Sequence, residues 1–298
     1  METFDVAVIG AGPGGYPAAI RAAQLGANVA LIEKEELGGA CLNWGCIPSK
    51  TLIGAARLMA SLKSARRLGI EFQSTSVDYS RLLKHKNKTV EQLRKGVAQL
   101  LSSNGVNVIK GAASFEHRNH LVVNTDEDSA AHSVTAEKII IATGAGPHTL
   151  SSFPQHDRIL NSRSFLDLRK LPNSAIVVGG GVIGCEFACL LAQFGVNVTL
   201  VEVSDEILIE LDDDVRRELR RHLEKSLGIR VLVGAIIGDV LAGPEEVRVR
   251  SGDESLLADL LIDATRRKPV SSVLQLKKAQ LETGPKGCIP VDEYGQTQ

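Results

Sequence analysis

Short apolar runs, each closed by glycines and followed by a stretch with apolar positions every three or four residues, recur along the chain. The first, residues 5–10 (DVAVIG), alternates too little for a half-exposed strand and reads as one covered on both faces. A helix is predicted from there to about Leu25, broken by Gly26, and then a strand over 29–33 (VALIE). Helical spacing predicts a helix over 47–63 and a longer one over 79–103. In the latter, Leu82, Leu83, Val90, Leu93, Val97, Leu100 and Leu101 share one face. Short β-runs come next around 106–109, 121–124 and 138–143, the middle ones reading as a small antiparallel meander. Residues 146–173, with Pro147, Pro154 and Pro172, read as an interdomain connection, and a second unit runs from Ala175 to about Ala264. Gly284, Pro285, Gly287 and Pro290 mark a loop-rich exit.

The pattern repeats. Shifted by 169 positions, Gly10, Gly12, Gly15, Ala19, Gln24, Gly26, Asn28, Val29, Leu31 and Glu33 become Gly179, Gly181, Gly184, Ala188, Gln193, Gly195, Asn197, Val198, Leu200 and Glu202. A further echo sets IIIATG (139–144) against LLIDATR (260–266). Each copy holds GxGxxG between a strand and a helix, with an acid at the end of the next strand. Such glycines let the backbone turn tightly and approach a pyrophosphate, and the acid is placed to accept hydrogen bonds from a ribose. The fold class expected is α/β, with two Rossmann-like dinucleotide-binding domains, each a parallel sheet with helices and a small antiparallel meander. The linear partition is 1–147 for the first nucleotide domain, 148–272 for the second, and 273–298 as a segment returning toward the first.

Composition narrows the function. With 44% apolar and 23% charged residues and a formal net charge of −1, the chain has no electrostatic footprint for nucleic acid or an anionic membrane. The N-terminus, METFDVAVIG, lacks a signal or transit pattern, and the apolar stretch 175–201 contains a triple glycine and Glu186, so a soluble, cytoplasmic protein is expected. Five cysteines at irregular spacing do not suit a secreted disulfide framework. Cys185 and Cys189 have no histidine or cysteine at ligand spacing, so they read as core packing and no metal is expected.

Cys41 and Cys46 stand in GGACLNWGCIPSK (38–50) with four residues between them. A bridge here closes so small a loop that it makes a poor staple, whereas two such thiols suit reversible electron storage; the alternative is a pair of free buried thiols. Electrons pass between a nicotinamide and a disulfide most naturally through a flavin. Cys41 follows Glu33 by eight residues, which makes the first copy the flavin site and the second the nicotinamide site. Glu202, with no arginine at its strand end, favours NAD over NADP.

GGACLNWGCIPSK, VIGAGPGGY, IIIATGA and GGGVIGCE together resemble the flavin-dependent pyridine nucleotide–disulfide oxidoreductases, and the wording CLNxGCIPSK is closest to the dihydrolipoamide dehydrogenase branch. The resemblance implies a flow of electrons between a dithiol substrate (a small molecule or a lipoyl domain), the Cys41–Cys46 disulfide, FAD and NAD. Cys41 would be the interchange thiol, Cys46 the thiol against the flavin, and Lys50, paired with Glu186, would approach the flavin. FAD would be held by Gly10, Gly12, Gly15, Glu33, Lys50, Ala113, Thr143 and Gly144, and NAD by Gly179, Gly181, Gly184, Glu202 and Arg266. Arg266 stands where that family has glycine, and Val270 where it has asparagine, so crowding of NAD is expected. The resemblance also implies a chain that stops before the family's dimerisation domain and its His–Glu pair, with weakened activity. The alternatives are a non-catalytic nucleotide-binding remnant and another disulfide or mercuric reductase.

Overall fold

The apolar runs become the inner strands of two parallel sheets. The computed structural model describes residues 2–65, 68–71, 76–125 and 132–298. By packing, the chain divides into two compact units: Met1–Ile47, Lys88–Gly146 and Arg267–Gln298 in the first, Pro48–Asn87 and Pro147–Arg266 in the second.

In the first unit, β1 (Glu2–Ile9) lies between β2 (Val29–Glu33) and β6 (His132–Ile141), with α1 (Gly15–Gln24) joining β1 to β2. The helices α2 (Gly39–Trp44), α3 (Cys46–Ala65) and α4 (Tyr79–Ser103) precede β3 (Asn107–Lys110), which extends the parallel sheet beyond β2. β4 (Ala112–His117) and β5 (His120–Asn124) then add an antiparallel meander to β6, giving the order β3-β2-β1-β6-β5-β4. Both faces are covered. Phe4, Ala7, Ile9, Ala30 and Ile32 pack with Leu274, Leu276 and Leu281 from the C-terminal segment, while Val8, Val29 and Leu31 pack with Ala19, Val97 and Leu101. Burial on two faces is why these strands read as continuous apolar runs.

After β7 (Ala145–His148), whose first two residues belong to the first unit, the second unit continues with β8 (Ile159–Asn161), β9 (Ser174–Val178), α5 (Val182–Gln193) and β10 (Asn197–Val201). After α6 (Asp213–Arg221) and β11 (Arg230–Leu232) come three antiparallel strands, β12 (Ile237–Ala242), β13 (Val247–Ser251) and β14 (Glu254–Ala258), and then β15 (Leu260–Asp263). The parallel sheet has the order β11-β10-β9-β15-β8. Ala175 and Val177 face Phe187, Leu190, Leu191, Leu52 and Ala56; Ile176 and Val178 face Val240, Val247, Val249 and Leu256 of the antiparallel sheet.

Three expectations need correction. The stretch 146–173 is more than a connection, because β8 joins the second sheet parallel to β15 (Leu261 opposite Ile159); three residues are too few to show a period. Leu93 and Leu100 are 42% and 52% exposed, so the buried stripe of α4 is narrower than its apolar stripe. Residues 48–87 pack with the second unit, not within a continuous 1–147 domain, because Leu52, Ile53, Ala56, Leu82 and Leu83 join its core.

A Cβ on Gly184 would lie 1.8 Å from Gly179 O. Overpacking costs about 1–3 kcal/mol and each of these lowers Tm by about 2–4 °C in domains of this size, so Gly184→Ala should lower Tm by about 5 °C or more in calorimetry. Burial pushes the Cys185 thiol up to about 12 and Cys189 up to about 11, whereas Cys288 is exposed. The oxidised native chain should therefore show one fast thiol, Cys288, to a thiol reagent at neutral pH. Above the ordinary thiol value of 9.0 the unfolded chain releases these two protons before the folded chain does. Stability should then fall as pH rises from about 9 toward 12.

Candidate active site

The first glycine loop leaves β1 where the strand order reverses, between β2 on one side and β6 on the other, the usual position of a ligand crevice in an open parallel sheet. Gly10 has φ +100°, and a Cβ there would meet Ala142 O at 2.4 Å; one on Gly15 would meet Gly10 O at 1.7 Å. Only glycine lets β1, the loop and the start of α1 close on each other so tightly. At the end of β2 the buried Glu33 carboxylate accepts the N–H of Ala11 (2.7 Å) and of Glu35 (2.8 Å), one on each oxygen. A carboxylate has about four lone-pair directions, so capacity remains for further donors.

The second loop repeats this bond for bond. Gly179 has φ +108°, and a Cβ on it would meet Ala264 backbone at 2.8 Å. Glu202 accepts the N–H groups of Gly180 and Ser204. The strands are tied alike: Ala142 N–H donates to Ile9 O, and Ala264 N–H to Val178 O, both at 2.8 Å. The copies differ in the residues after the acid. In the first, Gly38 (φ +93°) donates to Ala11 O at 2.9 Å, and a Cβ on Gly39 (φ +58°) would lie 2.6 Å from Gly12 Cα. In the second, Leu208 donates to Gly180 O at 2.9 Å from a left-handed conformation (φ +51°) that a branched side chain rarely adopts. Among the described residues, nothing there lies within 4 Å of a Cβ on Gly181.

The glycine pair in the first copy starts the disulfide-bearing helix. Cys41 lies on α2 and Cys46 opens α3, and their sulfurs are bonded across a Cα–Cα distance of 4.7 Å. Gly45 separates the helices with a non-helical backbone (φ −146°, ψ −110°), and a Cβ there would meet Ala40 O at 2.9 Å. Cys41 is half-buried and Cys46 exposed. Asn43, between them, donates its side-chain amide to Leu37 O (2.9 Å) and Gly39 O (3.0 Å), while its Oδ1 is buried without a partner among the described residues. One turn after Cys46 on α3, Lys50 Nζ reaches both Glu186 oxygens at 2.6 and 2.9 Å. Lys50 is 58% exposed and Glu186 30%, so the pair contributes little to stability.

The first unit thus brings together Gly10, Gly12, Gly15, Glu33, Thr143 and Gly144 with the cysteines, and the second brings together Gly179, Gly184, Glu202, Lys50 and Glu186. Ala113 lies apart from these loop contacts, buried in β4 opposite Val123. Gly144 has φ +67°, whereas Arg266 is exposed and free of left-handed strain. Sequence reasoning passed over Asn43, Ala11 and the Gly38–Gly39 step; the doubled glycine was their only signal. Among the described residues no group of three or more His, Cys, Asp or Glu is placed to hold a metal, and no helix is long and apolar enough to cross a membrane.

Comparison with known proteins agrees with this geometry. The chain is 38% identical over 296 residues to the dihydrolipoyl dehydrogenase of Chlamydia pneumoniae, covering 99% of this chain and 63% of that one. Its identity to a dihydrolipoyl dehydrogenase of Bacillus subtilis (strain 168) is 39% over 299 residues, covering 99% and 64%. Among solved structures, LpdA from Mycobacterium tuberculosis superposes with a TM-score of 0.90 at 27% identity, covering 100% of this chain and 65% of that one. The HOCl-induced flavoprotein disulfide reductase RclA from Escherichia coli, solved as a Cu(II) complex, gives 0.86 at 30% identity, covering 98% and 63%. The chain therefore spans less than two thirds of the length of these relatives. With two matching glycine loops and a disulfide helix beside the first, residues 4–298 match the pyridine nucleotide-disulphide oxidoreductase family, and the chain belongs to it.

Proposed function

We propose that the chain is the two-nucleotide part of a dihydrolipoamide dehydrogenase-type oxidoreductase, with FAD on the first cradle and NAD on the second. The observation that carries this reading is the disulfide helix resting on the first glycine loop, Gly38 N–H on Ala11 O and Gly39 against Gly12. A loop that admits no Cβ at Gly10 or Gly15, with a helix N-terminus behind it and a buried acid beside it, fits a dinucleotide in both copies. When bound, the flavin would supply two-electron transfer between nicotinamide and thiols.

The remaining roles belong to this chain's own groups. Gly10, Gly12, Gly15 and Glu33 would hold the first dinucleotide, joined by Thr143, Gly144, Lys50 and the main chain of Ala113. Gly179, Gly181, Gly184 and Glu202 would hold the second, with Arg266 at its edge. Cys41 would exchange with the substrate dithiol and Cys46 would take the internal side of the couple. The Lys50 ammonium, held by Glu186, would favour a thiolate over a thiol one helical turn away. Residues 1–47 and 88–146 would form the flavin domain and 147–266 the nicotinamide domain.

NAD is favoured because Glu202 would face a 2′-phosphate. Two unit charges about 4 Å apart interact by roughly 4 kcal/mol at an effective dielectric of about 20. The likeness to RclA supports a second reading within the same class, a reductase with a different acceptor.

Steady-state assays with NADH and lipoamide, oxidised glutathione, mercuric ion or Cu(II) separate the two readings. Lipoamide should be the preferred acceptor, and preference for any other would replace the first reading by the second. Glu202→Gln should weaken NAD binding about tenfold, the loss of one charge-assisted hydrogen bond, and narrow the margin over NADP in fluorescence titration. Lys50→Met should slow the NADH-driven appearance of thiols by roughly 10²-fold in stopped-flow trapping, with NAD affinity unchanged.

A further inference from the structure

Resting on the redox reading of the disulfide, we infer that Asn43 is a positioning residue that holds Cys41 against Cys46 when their bond is open. In the oxidised chain the covalent bridge fixes the two sulfurs. In the dithiol that tie is gone, and α2 must keep its place by weaker means. It has only six residues, Gly39–Trp44, too few to persist as a helix by its own backbone bonds.

Its fit against the glycine loop, where a Cβ on Gly39 would lie 2.6 Å from Gly12 Cα, is joined by further contacts. Leu42 is buried in the core under β1 and β2, Gly38 N–H donates to Ala11 O, and the Asn43 amide gathers carbonyls from the turn that leads into the helix. That last contact starts between the cysteines and reaches back to the entry turn. Its two N–H groups reach Leu37 O at 2.9 Å and Gly39 O at 3.0 Å, with Glu36 O at 3.5 Å. Residue 39 is one turn back along α2 and residue 37 precedes the helix, so one side chain ties the entry turn to the segment carrying Cys41. Gly38 and Gly39 both have positive φ, and that turn would otherwise have the freedom that glycine confers. The clamp keeps the opened thiols close to their bonded spacing and so raises the effective concentration of each at the other.

Removing the clamp costs the two redox states unequally. The oxidised form stays closed by its bridge, whereas the dithiol gains conformational freedom, so the equilibrium moves toward the dithiol. With dithiothreitol as reductant the exchange balances: the Cys41–Cys46 S–S bond breaks, two protein S–H groups form, and dithiothreitol closes its own S–S bond.

The test equilibrates the chain, as wild type, Asn43→Ala and Asn43→Ser, with mixtures of reduced and oxidised dithiothreitol. Acid quenching, alkylation and mass spectrometry count the open pairs, and the melting temperature of each oxidised protein is recorded alongside. Asn43→Ala should shift the equilibrium about tenfold toward the dithiol, as expected for one or two neutral hydrogen bonds. Asn43→Ser, with one shorter donor, should fall between it and wild type; it also keeps the test open if the alanine variant does not fold. Variants that melt lower but share the wild-type equilibrium would overturn the clamp and leave a purely structural asparagine. A wild-type chain whose Cys41 and Cys46 alkylate before any reductant is added would instead remove the redox reading itself, and the clamp with it.

Discussion

One close backbone approach in the first unit sets where its two cysteines sit. Gly39 can lie against Gly12 only because it has no side chain, and that contact, with the Gly38–Ala11 hydrogen bond, seats the cysteine helix on the glycine loop. Ala11 is held from the other side by the Glu33 carboxylate. Three neighbours thus form one element: an acid at a strand end, a glycine-rich loop, and a short helix with a disulfide. Unsatisfied buried main-chain groups are costly, and here the acid and the loop satisfy each other before any ligand is considered.

The second unit shows what this element looks like without the disulfide. Its glycines, its acid and its strand ties match those of the first by a constant numerical shift, down to the pair of N–H groups on Glu202. Where the first copy spends two glycines on the step after the acid, the second uses Ile207 and Leu208, and the left-handed Leu208 makes the equivalent hydrogen bond. A buried isoleucine against Gly180 replaces a reactive helix. The two copies share the glycine loop and the acid bonded to it and differ where one of them carries thiols.

Much of this was legible because the physics is local. Strands buried on both faces must be apolar throughout, and a loop that turns under a helix N-terminus must be glycine, so both leave marks in adjacent residues. Glu33 and Glu202 were legible as acids at strand ends, but their bonds to Ala11 and Gly180 reach 22 residues back and have no signature of their own. β8 escaped notice because three residues flanked by turns carry no period. The grouping of residues 48–87 with the second unit depends on which core Leu52 and Leu83 enter, a tertiary fact that amphipathic spacing cannot encode. Asn43 looked like linker between two cysteines; only the positions of Leu37 O and Gly39 O give it a task.

The central claim is that Cys41 and Cys46 receive electrons that enter through the second nucleotide cradle. Anaerobic addition of NADH to the purified chain, with alkylation and peptide mass spectrometry afterwards, tests it most directly. The account predicts two new alkylated positions, Cys41 and Cys46, with Cys185 and Cys189 unchanged. A bridge that dithiothreitol opens but NADH leaves closed would contradict it.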